Sequence, residues 1–310
     1  MIEKKYLRLF VCPICKKKVT IKKNALNCAN CKRTYYIQED IPLMLSGNLN
    51  IDAIISRKKW DLLYDKNELK RDYRNDETTI SVNEFIIKYK HFFSKGIFLD
   101  LGCGITWNGA FLARDGISLL GTDISYEGLY KSKLLFLREK LKGCFVQASF
   151  TNLPFKDNSI QFIYAGLSVL EYEKNPKSAL LESYRVLKPG GRMVATFPVA
   201  SFTTLTYQQL RGDIPNIPFV KFLAEFIHIK MFKGKYLKYG YGQTSFIGSI
   251  KKSLRETPFQ LLDIGYFDIY YPVQFAPRVI KPFIRKILRF RPFWPIAYVE
   301  IMKPLRKNKI

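Results

Sequence analysis

Long apolar runs are missing from this chain of 310 residues, and acidic side chains are scarce. No window reaches the roughly eighteen uncharged apolar residues of a bilayer-spanning helix. The nearest, Pro258 to Pro277, is broken by Asp263, Asp268 and three prolines. No apolar stretch follows the opening Met-Ile-Glu-Lys-Lys, so neither a signal peptide nor a membrane span is expected. The expected compartment is the reducing cytoplasm. Histidine is limited to His91 and His228, both in segments that read as packing or surface positions. A composition of 47% hydrophobic and 25% charged residues excludes wholesale disorder and collagen-like folds. Aromatic content of 15% implies well-filled cores or exposed aromatic surfaces.

What replaces the missing acids is positive charge. Lysine and arginine total 51 against 26 acidic residues, a net +25. Residues 1–33 carry ten basic side chains against Glu3 alone, and residues 271–310 carry ten against Glu300 alone. The 237 residues between hold 31 and 24, only +7, and read as an ordinary soluble domain. The two ends are therefore where RNA, DNA or anionic lipid would be met, and charge does not choose among them.

Four of the six cysteines stand as Cys12-x2-Cys15 and Cys28-x2-Cys31. Two such knuckles complete a tetrahedral structural zinc site, with Zn–S near 2.3 Å. Val19, Ile21 and Leu26 around Lys22-Lys23-Asn24 read as a hairpin that carries the second knuckle. Disulfides are disfavoured by compartment, and a redox dithiol needs only one pair. No histidine or carboxylate is placed to leave an open coordination position, so catalytic zinc is not expected. A module this small cannot bury enough surface to fold alone, and metal binding supplies its folding energy. Val11-Cys12-Pro13-Ile14-Cys15, Leu26-x-Cys28-x2-Cys31 and Tyr35-Tyr36-Ile37-x3-Asp40-Ile41-Pro42-Leu43-Met44-Leu45 together resemble the small zinc-ribbon proteins that partner methyltransferases.

Further on, Ile97 to Leu101 reads as a buried parallel strand, followed by Gly102-Cys103-Gly104 and a helix from Trp107. A second strand from Ile117 leads to Asp123, whose carboxylate suits two ribose hydroxyls. Taken alone, this also permits a dinucleotide enzyme. In order follow Leu153-Pro154-Phe155-x-Asp157-x-Ser159, Val169-Leu170-Glu171 and Arg185-Val186-Leu187-Lys188-Pro189-Gly190-Gly191. The ordered set resembles class I S-adenosylmethionine-dependent methyltransferases, in the group of ubiquinone and menaquinone enzymes. That resemblance implies S-adenosylmethionine as cofactor, held by Asp100, Gly102, Gly104, Asp123, Ile124, Ser149, Phe150 and Gly166. The two glycines would admit the methionine portion, Asp123 the ribose, and Phe150 would lie near the adenine.

The chain departs from the family pattern at four positions. Thr106 replaces a usual third glycine, at a cost of about 1–2 kcal/mol if that position requires positive φ. Ser149 stands for an adenine-binding Asp, Ile160-Gln161 for Phe-Asp, and Tyr172 for His. These changes keep open a non-catalytic binding or scaffold protein with a degenerate pocket.

Methyl transfer is an in-line displacement that needs chiefly alignment. Where the acceptor must lose a proton, Glu171 is the expected base and Tyr172 the orienting hydroxyl. Cys103 and Cys144 read as buried spacers. Trp60-Asp61-x2-Tyr64 lies on an amphipathic stretch, and similar stretches cap the cofactor in relatives.

The expected architecture is α/β: a Rossmann-like doubly wound sheet with an antiparallel last strand, preceded by a small zinc ribbon. Residues 1–45 form the ribbon, 46–95 a helical linker or cap, and 96–310 the methyltransferase domain. Within it 199–258 is an insert, and 272–310 a basic aromatic tail whose short helix from Lys281 reads as an interfacial segment. The expected acceptor is small or lipid-linked, met at the inner membrane face; the alternative is a base in rRNA or tRNA.

Overall fold

The computed structural model describes residues 2–47, 49, 51–65, 74, 77–94, 96–166, 169–172, 176–198, 206, 209–210, 217–226, 247–267, 279, 283 and 296–305. The ribbon opens with a single helical turn, α1 (Lys4–Leu7). Its antiparallel sheet runs β1 (Val19–Lys22), β2 (Ala25–Cys28), β3 (Thr34–Gln38) and β4 (Ile41–Pro42), in that order. The β1–β2 hairpin turns at Lys23, which takes the left-handed conformation at φ 51°. Three helices follow: α2 (Ile51–Asp65), α3 (Glu77–Ile87) and α4 (Lys90–Phe93).

The larger body alternates strand and helix through β5 (Ile97–Leu101), α5 (Trp107–Arg114), β6 (Ser118–Asp123), α6 (Tyr126–Arg138) and β7 (Gly143–Gln147). It continues through β8 (Ile160–Ala165), α7 (Lys177–Val186), β9 (Leu187–Pro198), α8 (Pro218–Ala224), α9 (Ile247–Arg255), β10 (Gln260–Phe267) and β11 (Ile296–Met302). The seven strands order as β10-β11-β9-β8-β5-β6-β7. The pairs from β9 through β7 are parallel, and β11 is antiparallel to both β9 and β10. The expected antiparallel hairpin is present, but its second strand lies within the segment read as a basic tail. Ile296–Met302 alternates apolar residues around charged Glu300 and so carries a weak strand signal, although Ile296, Ala297, Val299 and Ile301 are fully buried between its neighbours. The tail helix expected from Lys281 lies outside the described residues apart from Phe283, as does His228.

Parallel strands covered on both faces need apolar side chains on both. Leu99 and Leu101 point into one core and Phe98 into the other. The second core is filled from α3, α4, α5 and α6, with Phe93, Phe98 and Phe162 ring to ring at 5.0–5.5 Å. The first contains α7 and, unexpectedly, the ribbon: Tyr6, Phe10, Leu26, Tyr35 and Met44 are buried with Leu120, Val146, Leu153 and Phe155. Ribbon and sheet thus share one core, which answers how so small a module is stabilised. Main-chain bonds seal the join. Val11 donates to Pro154 (2.9 Å), Lys156 to Leu9 (2.9 Å) and Met44 to the Gln147 carbonyl at the end of β7 (2.8 Å). Leu43 forms a parallel bridge to Gln147, so the ribbon covers part of the outer edge of the sheet.

Candidate zinc centre and cofactor site

The four ribbon thiols converge. Their sulfurs all lie within 4.8 Å of one another, with Cys12–Cys31 at 3.6 Å, Cys15–Cys28 at 3.5 Å and Cys28–Cys31 at 3.7 Å. A tetrahedron with Zn–S of about 2.3 Å has S···S edges of about 3.8 Å, so this donor set fits zinc. Lys16 and Lys32, each directly after the second cysteine of its pair, share the left-handed backbone (φ 58° and 57°). The two knuckles are one local shape used twice. All four positions are ligands, which leaves none open for chemistry.

The second site lies where the parallel strands end. Gly166 follows β8, Gly102 to Gly104 follow β5, Asp123 ends β6, and Ser149-Phe150 follow β7. At about 4.8 Å per strand, those four ends span roughly 14 Å, the length of a nucleoside with its side chain. Gly102 and Gly104 take φ of +67° and +48°, which an L side chain resists. A β-carbon on Gly102 would also collide with Val169, so the helical turn Val169–Tyr172 borders the glycine loop. Glu171 and Tyr172 sit on that turn; their side chains lie outside the described residues.

Asp123 is tied to the loop. Its two carboxylate oxygens accept the backbone N–H groups of Gly104 (2.8 Å) and Ser125 (2.8 Å), one on each oxygen. Burial pushes its pKa up to about 6, resisted by the N–H bonds of Ser125, Gly104 and Ile124 and aided by nearby Asp61. Asp100 is held differently. It is buried and accepts the Thr106 hydroxyl proton at 2.6 Å, and burial pushes its pKa up to about 7, with the Thr106 bond opposing and Asp123 adding.

The strain that a positive φ would impose at Thr106 does not arise. Its φ is −73°, and its Oγ1 also accepts from Gly109 N–H at 3.1 Å, so it is the N-cap of α5. A glycine there would supply neither bond. Ser149 is likewise buried in a local turn, with its hydroxyl 2.8 Å from that of Thr151, and Phe150 is half-buried against the core.

Further residues complete the site: Ser132, Gln147 and Ala148, which the pattern did not single out, and Asp61 and Tyr64 from the stretch expected to cap the cofactor. Ser132, fully buried on α6, donates to the Gly104 carbonyl (2.8 Å) and accepts from Thr106 N–H (3.0 Å). Gln147 donates to the Ile124 carbonyl (2.9 Å), while Ala148 N–H donates to that of Asp123 (2.9 Å). From α2, Asp61 accepts from Ser125 Oγ (2.6 Å) at the start of α6, and Tyr64 covers the place where a Gly104 β-carbon would stand. For Ser132 and Gln147 the sequence signal is only a polar residue at an otherwise apolar helix or strand position. Cys103 is half-buried, Cys144 fully so, and burial holds both thiols well above the usual range, as spacers rather than nucleophiles. His91 is exposed on α4, away from these strand ends.

Residues 99–195 match the family described as a methyltransferase domain, and residues 3–40 that described as Trm112p-like protein. The chain carries a class I methyltransferase domain behind a Trm112-like zinc ribbon. The methyltransferase region is similar to demethylmenaquinone methyltransferase of Clavibacter sepedonicus, 36% identical over 31% of this chain and 38% of that protein. It also resembles the ubiquinone biosynthesis O-methyltransferase of Yersinia pestis, 29% identical over 46% of this chain and 56% of that one. An uncharacterised protein of Methanocaldococcus jannaschii is 33% identical over 43% of this chain and 59% of its own. The chain thus spans between 38% and 59% of the length of these relatives. Among solved structures, the [4+2]-cyclase SpnF matches with TM-score 0.54 and 17% identity over 81% of this chain and 95% of that one. A geranyl diphosphate C-methyltransferase of Streptomyces coelicolor, solved with S-adenosyl-L-homocysteine, matches at 0.53 and 12% identity over 83% of this chain and all of its own. At these identities the likeness shows the methyltransferase fold.

Proposed function

We propose that this protein transfers a methyl group from S-adenosylmethionine to a small or lipid-linked acceptor at a membrane surface. The observation that carries the transferase reading is the Gly104–Asp123 link at adjacent strand ends, within the region that matches a methyltransferase domain. When bound, S-adenosylmethionine supplies an electrophilic methyl on a sulfonium. The work left to the chain is binding and alignment. Asp123 would accept the two ribose hydroxyls, each charged bond contributing about 1.5–3 kcal/mol. Gly102 and Gly104 would let backbone N–H groups reach the methionine portion, with Tyr64 excluding water above them. Ile124, Ser149 and Phe150 would border the adenine, and Gly166 the far end of the crevice; Asp100 would act through Thr106 as the support of the loop. For a hydroxyl or phenol acceptor, Tyr172 would orient the oxygen and Glu171 would take its proton. No described helix is long and apolar enough to cross a membrane, so the inner membrane face would be met from outside the bilayer.

Calorimetric titration of the zinc-loaded protein with S-adenosylmethionine tests the reading. Micromolar binding, weakened roughly 100-fold or more by Asp123→Ala, is expected from the loss of two charged hydrogen bonds. No binding up to millimolar cofactor overturns it in favour of a scaffold role. That rival has lost one support, since Thr106 is unstrained.

One observation favours base methylation in RNA as a second reading. Tyr36 is 68% exposed on the outer ribbon face, in one cross-strand row with Ala25 and Lys22. An exposed ring beside cations is a stacking platform for a single-stranded base. That reading expects RNA affinity that falls steeply with salt and drops with Tyr36→Ala; a flat salt response in a filter-binding assay removes it.

A further inference from the structure

The insert between β9 and α9 carries an aromatic ridge that nothing in the transferase site uses. Helix α8 turns Ala224 fully inward and half-buries Val220 and Leu223. On its other side Phe219, Phe222 and Phe226, the last just past the helix end, are 71%, 64% and 49% exposed. At 100° per residue the three positions fall within an arc of about 60°, so the rings form one stripe. Ile217, the N-cap of α8, is also exposed. Isolated exposed apolar residues are ordinary, whereas a contiguous row of rings marks an interaction surface.

Charge selects the occupant. Residues 199–258 hold nine lysines and arginines against three acidic residues, and residues 271–310 hold ten against one. Lys221 is exposed on α8 itself, and Lys251, Lys252 and Arg255 are exposed on α9; Glu225 is the one acidic side chain among residues 217–226. Large apolar rings on a strongly basic insert suit the boundary between acyl chains and anionic headgroups, where the rings bury and ammonium groups meet phosphate. The insert leaves the sheet at the carboxyl end of β9, the same edge that carries Gly102, Asp123 and Gly166.

We propose that α8 is an interfacial element that lays Phe219, Phe222 and Phe226 into an anionic lipid surface, with Lys221 and the α9 cations at the headgroups. This assignment rests on the reading of an acceptor met at a membrane surface and moves the contact from the basic tail to the insert. A lipid-linked acceptor would then present its head on the edge of the sheet where the cofactor is held, without leaving the bilayer.

The test is sedimentation of the full-length, zinc-loaded protein with vesicles of phosphatidylglycerol and phosphatidylcholine in equal parts, and with phosphatidylcholine alone. The wild type is expected to pellet with the anionic vesicles and weakly with the neutral ones. Phe219→Ser/Phe222→Ser is expected to lower the anionic partition coefficient at least tenfold, while its affinity for S-adenosylmethionine stays within twofold, which also shows that the variant is folded. Should the double variant lose cofactor binding as well, the single variant Phe219→Ser, at the most exposed ring of the stripe, is measured with the same criterion. Wild-type failure to bind anionic vesicles overturns the proposal, as does a variant that binds them unchanged. A wild-type dimer in gel filtration that the variant dissolves, with no vesicle binding, also overturns it and makes a second copy the occupant. The two readings fail separately: vesicle binding without cofactor binding defeats the transferase, and the converse defeats the interfacial helix.

Discussion

The buried carboxyls at the strand ends are the residues on which the site turns. Asp123 must be ionised to accept two hydroxyls, and burial has brought its pKa up to about 6. Cofactor affinity should therefore be flat from about pH 7 upward and fall below about pH 6, measured by repeating the titration from pH 5 to 8. Stability follows the opposite course. Asp100 and Asp123 both have folded pKa values raised above their unfolded ones, so the native state binds more protons through that window. Their contribution to stability is fullest in acid and is lost as pH rises toward about 7. Glu182 opposes them. Burial alone would raise its pKa, but Arg185 and Lys16 hold it below the ordinary range, so its contribution is lost as pH falls. Thr106 is the residue whose meaning reversed between pattern and structure. Thr106→Ala removes the α5 cap and the Asp100 donor together, and should cost about 1–3 kcal/mol in denaturant unfolding. Thr106→Ser, which keeps both bonds, should recover most of it.

Among the elements, the ribbon is the one whose role is set by its docking. Lys16, in the first knuckle, donates to Glu182 on α7 at 2.7 Å, and Glu182 accepts from Leu153 N–H and Arg185 as well. Met44 reaches Gln147, and Gln147 reaches the main chain beside Asp123. Ribbon, edge strand and the Asp123 loop are thus joined by consecutive hydrogen bonds. Gln147→Leu leaves the Ile124 carbonyl unpaired and should weaken S-adenosylmethionine binding about tenfold, with a smaller effect on melting temperature. Zinc chelation should weaken it too, and should affect the Gln147→Leu variant less than the wild type. Equal losses in both would show that the ribbon does not act through this residue. The hairpin, the glycine turn and helix α5 were legible in the chain because each is short and carries its own punctuation. The ribbon's burial was not, since Tyr6, Phe10 and Met44 gain partners more than a hundred residues away.

At the scale of the whole molecule, the chain end is structural. β11 lies between β9 and β10, and Arg192 on β9 pairs with Glu300 on β11. Beyond it, Lys303 donates to the Tyr184 carbonyl (2.8 Å) and to Asn158 (2.7 Å). Truncation after residue 295 removes the neighbour of both strands and should yield insoluble or protease-sensitive protein. The last strand of the sheet is thus drawn from the most basic stretch of the chain, residues 271–310.

Local chemistry made the zinc ligands, the strand–glycine–helix unit and the terminal acid of β6 readable from the chain, because cysteine spacing, positive-φ glycines and a lone carboxylate after an apolar strand are each specified within a few residues. Tertiary structure alone decided that Thr106 caps rather than strains, that Asp100 turns inward, that Ser132 and Gln147 brace the loop, and that 296–302 is a strand. Each depends on a partner far along the chain, and only the packed sheet supplies that partner and the burial that gives the bond its worth.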